Sequence, residues 1–367
     1  MPIVNTNIAE TINITENGQH DVAKYTTANV SVAGVPRTVD ANGVLQFPTI
    51  TADFLGGATD IGDWVFYSAY YSTTSGYYNN VSGTINMSSL RTISGIRACY
   101  QMFNKRTGIT SVDLSSLTTI SGTYGCNNMF KDCTGITSVD LSSLTTVEGE
   151  YGCQNMFYGC SGITGALDLS SLTTVSGQSG CGNMFYGCTG ITTIDLSSLT
   201  TVSGNSGCYT MFQGCTNIIG SVDLSSLTTI SGTSGCSRMF FGCTGITSVD
   251  LSNLTTVSGN TGCQQMFSGC TGITSVDLSS LTTISGTKVL TNMFYGCISL
   301  TALSFPALTS TSFGSYTNQF NSMLSGVTGC TVHFPSNLQS VIGSWSDVTA
   351  GFGGTNTTVL FDLPATE

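Results

Sequence analysis

The chain has 367 residues, only 8% of them charged, and a formal net charge of −11. That balance disfavours nucleic acid and anionic membrane as partners, since both require a basic face, and no stretch reaches the roughly 18 apolar residues of a membrane span. Abundant Gly, Ser and Thr suggest low complexity, but Ile, Val, Leu, Met and Phe recur at fixed intervals and supply a continuous core, which excludes disorder.

In chain order, Met1-Pro2-Ile3-Val4-Asn5 lacks the basic stretch and apolar run of a secretory signal. Residues 1–34 read as a small β-rich module. Ile12 to Val22 and Ala28 to Val32 give two short strands around an Asn17-Gly18 turn. The phrase Ile14-Thr15-Glu16-Asn17-Gly18 resembles small β modules at the front of phage and prophage structural proteins. Residues 35–86 form a linker and cap region. It holds a second hairpin signal, Asn42-Gly43 between Val39 and Val44-Leu45, followed by the rings Trp64, Phe66, Tyr67, Tyr70, Tyr71, Tyr77 and Tyr78. The rings are expected to cover the open end of a repeat core. Trp64, Tyr67, Tyr70, Tyr71, Tyr77 and Tyr78 are also the candidate glycan-stacking residues.

From there a Met-Phe pair recurs at Met102, Met129, Met156, Met184, Met211, Met239, Met266 and Met293, in steps of 27 or 28 residues. A period in the twenties predicts a solenoid. The two longer steps carry their extra residue between the second Cys and the Asp, in Cys160–Asp168 and Cys215–Asp223. A connection tolerates insertion better than a stacked element, so this segment is expected to be a bend. Within a coil, Ser138, Asp140 and Ser142 alternate with Val139 and Leu141, which predicts a short strand with one wet face. Cys126, Met129, Phe130 and Cys133 fall at i, i+3, i+4 and i+7, which predicts a two-turn helix with one apolar side. In such a helix the two cysteines lie about 10.5 Å apart along the axis, beyond the roughly 7 Å limit of a disulfide. The 15 cysteines are therefore expected to be buried free thiols. No C-x2-C spacing supports zinc, and the two histidines, His20 and His333, lie outside the Met-Phe repeats. Phe305-Pro306 and Phe334-Pro335 replace the strand's Leu-Ser at the exit, as degraded terminal repeats do, and 343–367 is read as a C-terminal cap or tail.

The run Met-Phe-Tyr-Gly-Cys-Thr-Gly-Ile-Thr-Ser-Val-Asp-Leu-Ser-Ser-Leu-Thr-Thr-Ile resembles the BspA-type leucine-rich repeats of bacterial surface proteins and related phage and gut-bacterial proteins, over about 87–342. The resemblance implies an α/β leucine-rich-repeat solenoid, one short strand plus one short helix per coil, with adhesion or ligand binding and no catalysis. This chain departs from the family in a longer coil, through the Ser-Gly-x-x-Gly-Cys stretch, and in showing no export signal.

Each coil offers one exposed carboxylate: Asp113, Asp140, Asp168, Asp195, Asp223, Asp250 and Asp277. Stacked about 4.8 Å apart, these are expected to repel, to raise one another's pKa values, and to form a candidate Ca²⁺ or polymer-binding ladder. The alternative is a solvated stripe. The strand face barely varies between coils while the opposite side varies more, which suits a periodic ligand such as a polysaccharide, or none. No His stands near a Ser or Cys nucleophile and no phosphate-cradling loop opens a helix, so neither catalytic residues nor a cofactor are expected.

The expected protein is a non-enzymatic attachment or recognition protein on a phage or prophage virion. Its N-terminal region would dock on a virion or cell-surface scaffold, and its solenoid would face host polysaccharide or a surface protein, with a homo-oligomer as one arrangement. No nucleic acid and no membrane insertion are expected. A secreted bacterial adhesin and a self-assembling spacer are the alternatives.

Overall fold

The computed structural model describes residues 59–61, 82–313 and 319–366, together with the backbone of four strands within 12–46. Those four strands are β1 (Ile12–Asn13), β2 (Val30–Val32), β3 (Val35–Val39) and β4 (Leu45–Gln46), forming one sheet in the order β1-β2-β3-β4. β1 runs parallel to β2, so these two do not make the hairpin expected around Asn17-Gly18. A hairpin closes with strands on either side of a turn running antiparallel, and here the antiparallel pairs are β2 with β3 and β3 with β4. The Asn17-Gly18 turn itself lies outside the described residues.

The remainder is a parallel β-solenoid of about ten turns. Each coil carries two strands joined by a corner. In one coil these are Ser138–Asp140 and Thr146–Val147, with Leu141 and Leu144 fully buried between them. The corner is a turn in which the Leu144 N–H donates to the Leu141 carbonyl at 2.9 Å. The Thr-Ile and Thr-Val strands stack into one unbroken nine-stranded parallel sheet, from Asp60–Ile61 to Thr283–Ile284. In each, the β-branched apolar residue points inward and the Thr lies half-buried outside. The first Thr of each Thr-Thr pair donates its hydroxyl to the preceding coil, as Thr145 does to the Thr118 carbonyl at 2.9 Å.

The expected helix is not there. From Gly122 to Cys133 the chain is a ribbon of consecutive turns, and the same holds in the equivalent segments. Alternate N–H groups bond three residues back: Gly125 to Gly122 O, Asn127 to Tyr124 O, Met129 to Cys126 O. The intervening ones leave the coil: Tyr124 donates to Glu150 O, Cys126 to Gly152 O, Asn128 to Gln154 O and Phe130 to Met156 O, at 2.7–2.9 Å. Positive φ recurs every fourth residue, at Tyr124 (56°), Asn128 (55°) and Asp132 (58°). The physical reason is pitch. Stacked strands fix the coils about 4.8 Å apart, whereas packed helices need 8–10 Å. A two-turn helix would also leave most of its terminal N–H and C=O groups unpaired. The turn ribbon satisfies both demands, and it keeps Cys126, Met129, Phe130 and Cys133 on the buried side. Each left-handed non-Gly residue costs roughly 1–2 kcal/mol, which the inter-coil bonds and the core behind them offset. Among the described residues, helix is confined to short pieces near the C-terminus, including α1 (Gln339–Ile342) and α2 (Ser346–Thr349).

The core is columnar. Phe103, Phe130, Phe157, Phe185, Phe212, Phe240, Phe267 and Phe294 stack with ring centroids 5.2–5.9 Å apart. Opposite, a glycine column permits close approach of the coils. A Cβ on Gly149 would lie 2.3 Å from the Gly122 carbonyl oxygen. At the C-terminal end the strands Ala302–Ser304, Thr331–Pro335 and Thr358–Leu363 form a parallel sheet. Phe305, Phe334 and Phe361 continue a stack there, while Phe313, Phe320, Phe352 and Trp345 pack edge-on or tilted around it. The buried Asp347 carboxylate joins that cluster by accepting from Phe320 N–H at 2.8 Å and Val348 N–H at 3.0 Å, and burial pushes its pKa up.

Candidate functional site

The Ser-Val-Asp strands line the site. They do not form one sheet: Gly83–Asn86, Ile109–Asp113 and Ser138–Asp140 make the first group, Gly165–Asp168 and Ile191–Asp195 the second, Gly220–Asp223, Ile246–Asp250 and Ser275–Asp277 the third. The two breaks fall at the two 28-residue coils. Gly165 and Gly220 open their strands there at φ +79° and +82°, a conformation open to glycine, and each shifts the register with the next strand. The inserted residue thus sits at the mouth of a strand and interrupts its ladder, where a free bend was expected.

The structure brings the seven aspartates onto one face, in three rows. Asp113 pairs in register with Asp140, Asp168 with Asp195, and Asp223 with Asp250 and Asp277. All are exposed except the half-buried Asp113. Each has a structural role that the sequence reading missed. Its Oδ1 accepts the backbone N–H of the Ser two residues on: Ser115, Ser142, Ser170, Ser197, Ser225, Ser252 and Ser279, at 2.8–3.0 Å. This is an Asx turn, and it sets the corner that swings the chain from one strand into the next. The recurrent Asp-Leu-Ser carried the signal. The expected rise in carboxylate pKa is reversed at Asp168 and Asp223, where the bonds from Ser170 and Ser225 hold the carboxylates below their ordinary range.

Two shallow grooves run along this face. One, of about 530 Å³, lies over Asp223, Asp250 and Asp277 and ends at Ser304 and Pro306. The other, of about 450 Å³, lies over Asp113, Asp140 and Asp168, across the first break. Along each, a column of Ser hydroxyls (replaced by Ala166 in one coil) and a column of carboxylates flank the strand backbone; Val112, Val222 and Val249 turn into the core, and only Val139 and Val276 are partly open between the columns. Among the described residues no group of three or more His, Cys, Asp or Glu is disposed to hold a metal ion. Trp64, Tyr67, Tyr70, Tyr71, Tyr77 and Tyr78 lie outside the described residues. No helix among the described residues is long and apolar enough to cross a membrane.

The family described as BspA type leucine rich repeat region matches residues 51–164, 100–261 and 237–344, in six copies. This chain belongs to the BspA-type leucine-rich-repeat family. No curated protein matches it. Similar solved structures include a leucine rich cell surface protein of Faecalibacterium prausnitzii, 15% identical over 88% of this chain and 92% of that one, with a TM-score of 0.28. A leucine-rich repeat protein of T. pallidum is 18% identical over 53% and 74%, with a TM-score of 0.27. One of Bacteroides ovatus is 15% identical over 74% and 88%, with a TM-score of 0.23. Likenesses at these scores carry no argument about function. Family membership itself rests on the repeat, whose BspA-type coil here bends through turns on the side opposite the strands.

Proposed function

We propose that this BspA-type protein is a non-enzymatic attachment protein that binds an extended, hydroxyl-rich polymer along its Ser-Val-Asp grooves. The observation that carries the reading is the groove cross-section. Between the Ser and Asp columns the floor comes open at Val276, an apolar spot that suits the C–H face of a sugar ring, and the flanking columns offer hydrogen bonds at every coil. The register repeats those groups at strand spacing, so a periodic ligand meets the same contacts again and again. The acidic net charge favours neutral or cationic polysaccharide over polyanions.

The carrier is a phage or prophage virion. The strands β1–β4 form a sheet of their own, apart from the array's sheets, which supports an anchoring module that runs past the expected boundary at residue 34 as far as Gln46, ahead of a cap and a displaying array. A bacterial cell-surface adhesin shares the same groove chemistry. Purified virions and the outer surface of expressing bacteria, each probed with antibody to the array, distinguish the two carriers.

A glycan array probed with the full chain, with Ca²⁺ and then with chelator, tests the groove reading. Binding to one class of polysaccharide is expected. Ser248→Tyr and Ser275→Tyr fill the groove from its half-buried and exposed positions and should weaken that binding at least about tenfold, roughly the loss of one good contact, with the β-sheet circular dichroism retained. If no polymer binds in either condition, the array is a spacer.

A further inference from the structure

Fifteen thiols lie buried in this array, and the fold sorts all but Cys330, which meets the carbonyl of Thr331 at 3.8 Å, into two columns with different partners. In the column that follows the Met-Phe pair, each sulfur is committed to a backbone carbonyl of the preceding coil. Cys133 donates to Phe103 O at 2.9 Å, Cys160 to Phe130 O at 3.0 Å, Cys188 to Phe157 O at 3.1 Å, and the pattern continues to Cys297 on Phe267 O at 3.1 Å. In the column that precedes the Met-Phe pair, Cys99, Cys126, Cys153, Cys181, Cys208, Cys236 and Cys263 occupy like positions on successive coils, all buried. The backbone holds neighbours in this column side by side. Cys99 N–H donates to Gly125 O, Cys126 to Gly152 O, Cys153 to Gly180 O, Cys181 to Gly207 O, Cys208 to Gly235 O and Cys236 to Gly262 O, at 2.7–2.9 Å. Each acceptor is the residue just before the partner cysteine. Because the turn ribbon stacks at strand spacing, about 4.8 Å, like positions on successive coils fall inside the roughly 4.4–6.8 Å Cα separation of a disulfide. The packed helices expected from the sequence would have held them too far apart.

We infer that neighbours in this column, from Cys99 to Cys263, are sites of inter-coil disulfide formation when the chain folds with a small-molecule disulfide present. The carbonyl-bound column stays reduced. The chemistry balances by exchange. One cysteine thiolate attacks glutathione disulfide and releases a glutathione thiolate, leaving a mixed disulfide on the protein. The neighbouring thiol gives up its proton to solvent and attacks the protein-side sulfur, and the second glutathione leaves. Two protein thiols are oxidised and one glutathione disulfide is reduced to two glutathiones. Exchange belongs to the folding chain, because burial in the finished array pushes the Cys126 thiol up and removes the thiolate that must attack. Each bridge ties adjoining coils across a loop of one repeat. An array folded in an oxidising exterior therefore carries covalent links that one folded in reducing surroundings lacks.

The test refolds the full chain from the reduced, denatured state in a glutathione redox buffer. Remaining thiols are then alkylated under denaturing conditions and unreduced peptides are mapped by mass spectrometry. Cross-linked peptides that join neighbours of the Cys99 to Cys263 column are expected, at most three per molecule because seven thiols leave one unpaired, with Cys133, Cys160, Cys188, Cys215, Cys243, Cys270, Cys297 and Cys330 alkylated. The oxidised protein should melt at a higher temperature than the same sample treated with dithiothreitol. In Cys236→Ala, Cys263 loses its one neighbour in the column and should be alkylated. The inference is overturned if the refolded protein shows no cross-linked peptide, if bridges join Cys126 to Cys133 or another pair within one coil, or if the carbonyl-bound column is oxidised first.

Discussion

The two strands of a coil are separated by one corner, yet their ladders differ. The Thr-Ile and Thr-Val ladder runs through nine strands without interruption, while the Ser-Val-Asp ladder is cut into three groups. Both see the same period and the same core. What differs is where the chain admits an extra residue. On the first side the coils are locked by the glycine column, where Gly149 meets the Gly122 carbonyl, and by Thr hydroxyls bonded to the preceding coil. On the second side Gly165 and Gly220 enter in a left-handed conformation with open space around them. One ladder is the spine of the molecule, and the other is a surface that tolerates interruption.

The largest effect expected from this contrast is at the spine. Gly204→Ala places a Cβ 2.1 Å from the Gly177 carbonyl oxygen, forcing two coils apart. It should cost about 3 kcal/mol, at the top of the range for overpacking, read as a lowered midpoint in urea. The same substitution at Gly220 meets no atom within 4 Å and carries only the strain of φ +82°. It should cost roughly 1–2 kcal/mol; equal losses at the two sites would erase the distinction between the ladders. At the corner that joins them, Asp250→Ala removes the acceptor for Ser252 N–H and should cost about 1 kcal/mol, as loss of a cap does. Asp250→Asn, which keeps an acceptor, should stay close to the parent.

The smallest effect is electrostatic. Asp168 and Asp223 are held below the ordinary carboxylate range by the bonds from Ser170 and Ser225. A carboxylate lowered on folding contributes stability above its unfolded pKa, about 3.9, and loses it as pH falls through the lowered value. Thermal melts of the parent should therefore drop on the acid side of pH 4. Asp168→Asn with Asp223→Asn should flatten that drop slightly, since both groups are mostly exposed. A double variant with an unchanged acid slope would remove the turn bonds as the cause.

Much of this architecture is written in residue spacing. The 27- and 28-residue steps set the coil, Val139 and Asp140 set the two faces of a strand, and the interval from Cys to Asp located both insertions. The helix was misread because i, i+3, i+4 and i+7 describe any backbone that turns back every three to four residues, and Cys126, Met129, Phe130 and Cys133 lie on one side of a turn ribbon as readily as of a helix. The cue that separates them is global: a short parallel strand in every coil imposes a pitch that helices cannot share. The Thr-Ile strand went unrecognised because it is two residues long, although Thr146, Val147 and Glu148 already alternate out, in and out. At the candidate site the position of every aspartate was legible, but its bond to the following Ser was not, since spacing gives the face of a residue and not the partner of its oxygen.

The turn ribbon also has a direction. Its outgoing N–H groups all reach the coil that follows, as Tyr124, Cys126 and Asn128 do, and the carbonyls of Thr123, Gly125 and Asn127 take those of the coil before. Neighbouring units therefore join like links of a one-way chain. Excising or duplicating a whole unit would regenerate the same junction, so reach could evolve in whole-coil increments, and any end-on union of two such molecules would have to run head to tail.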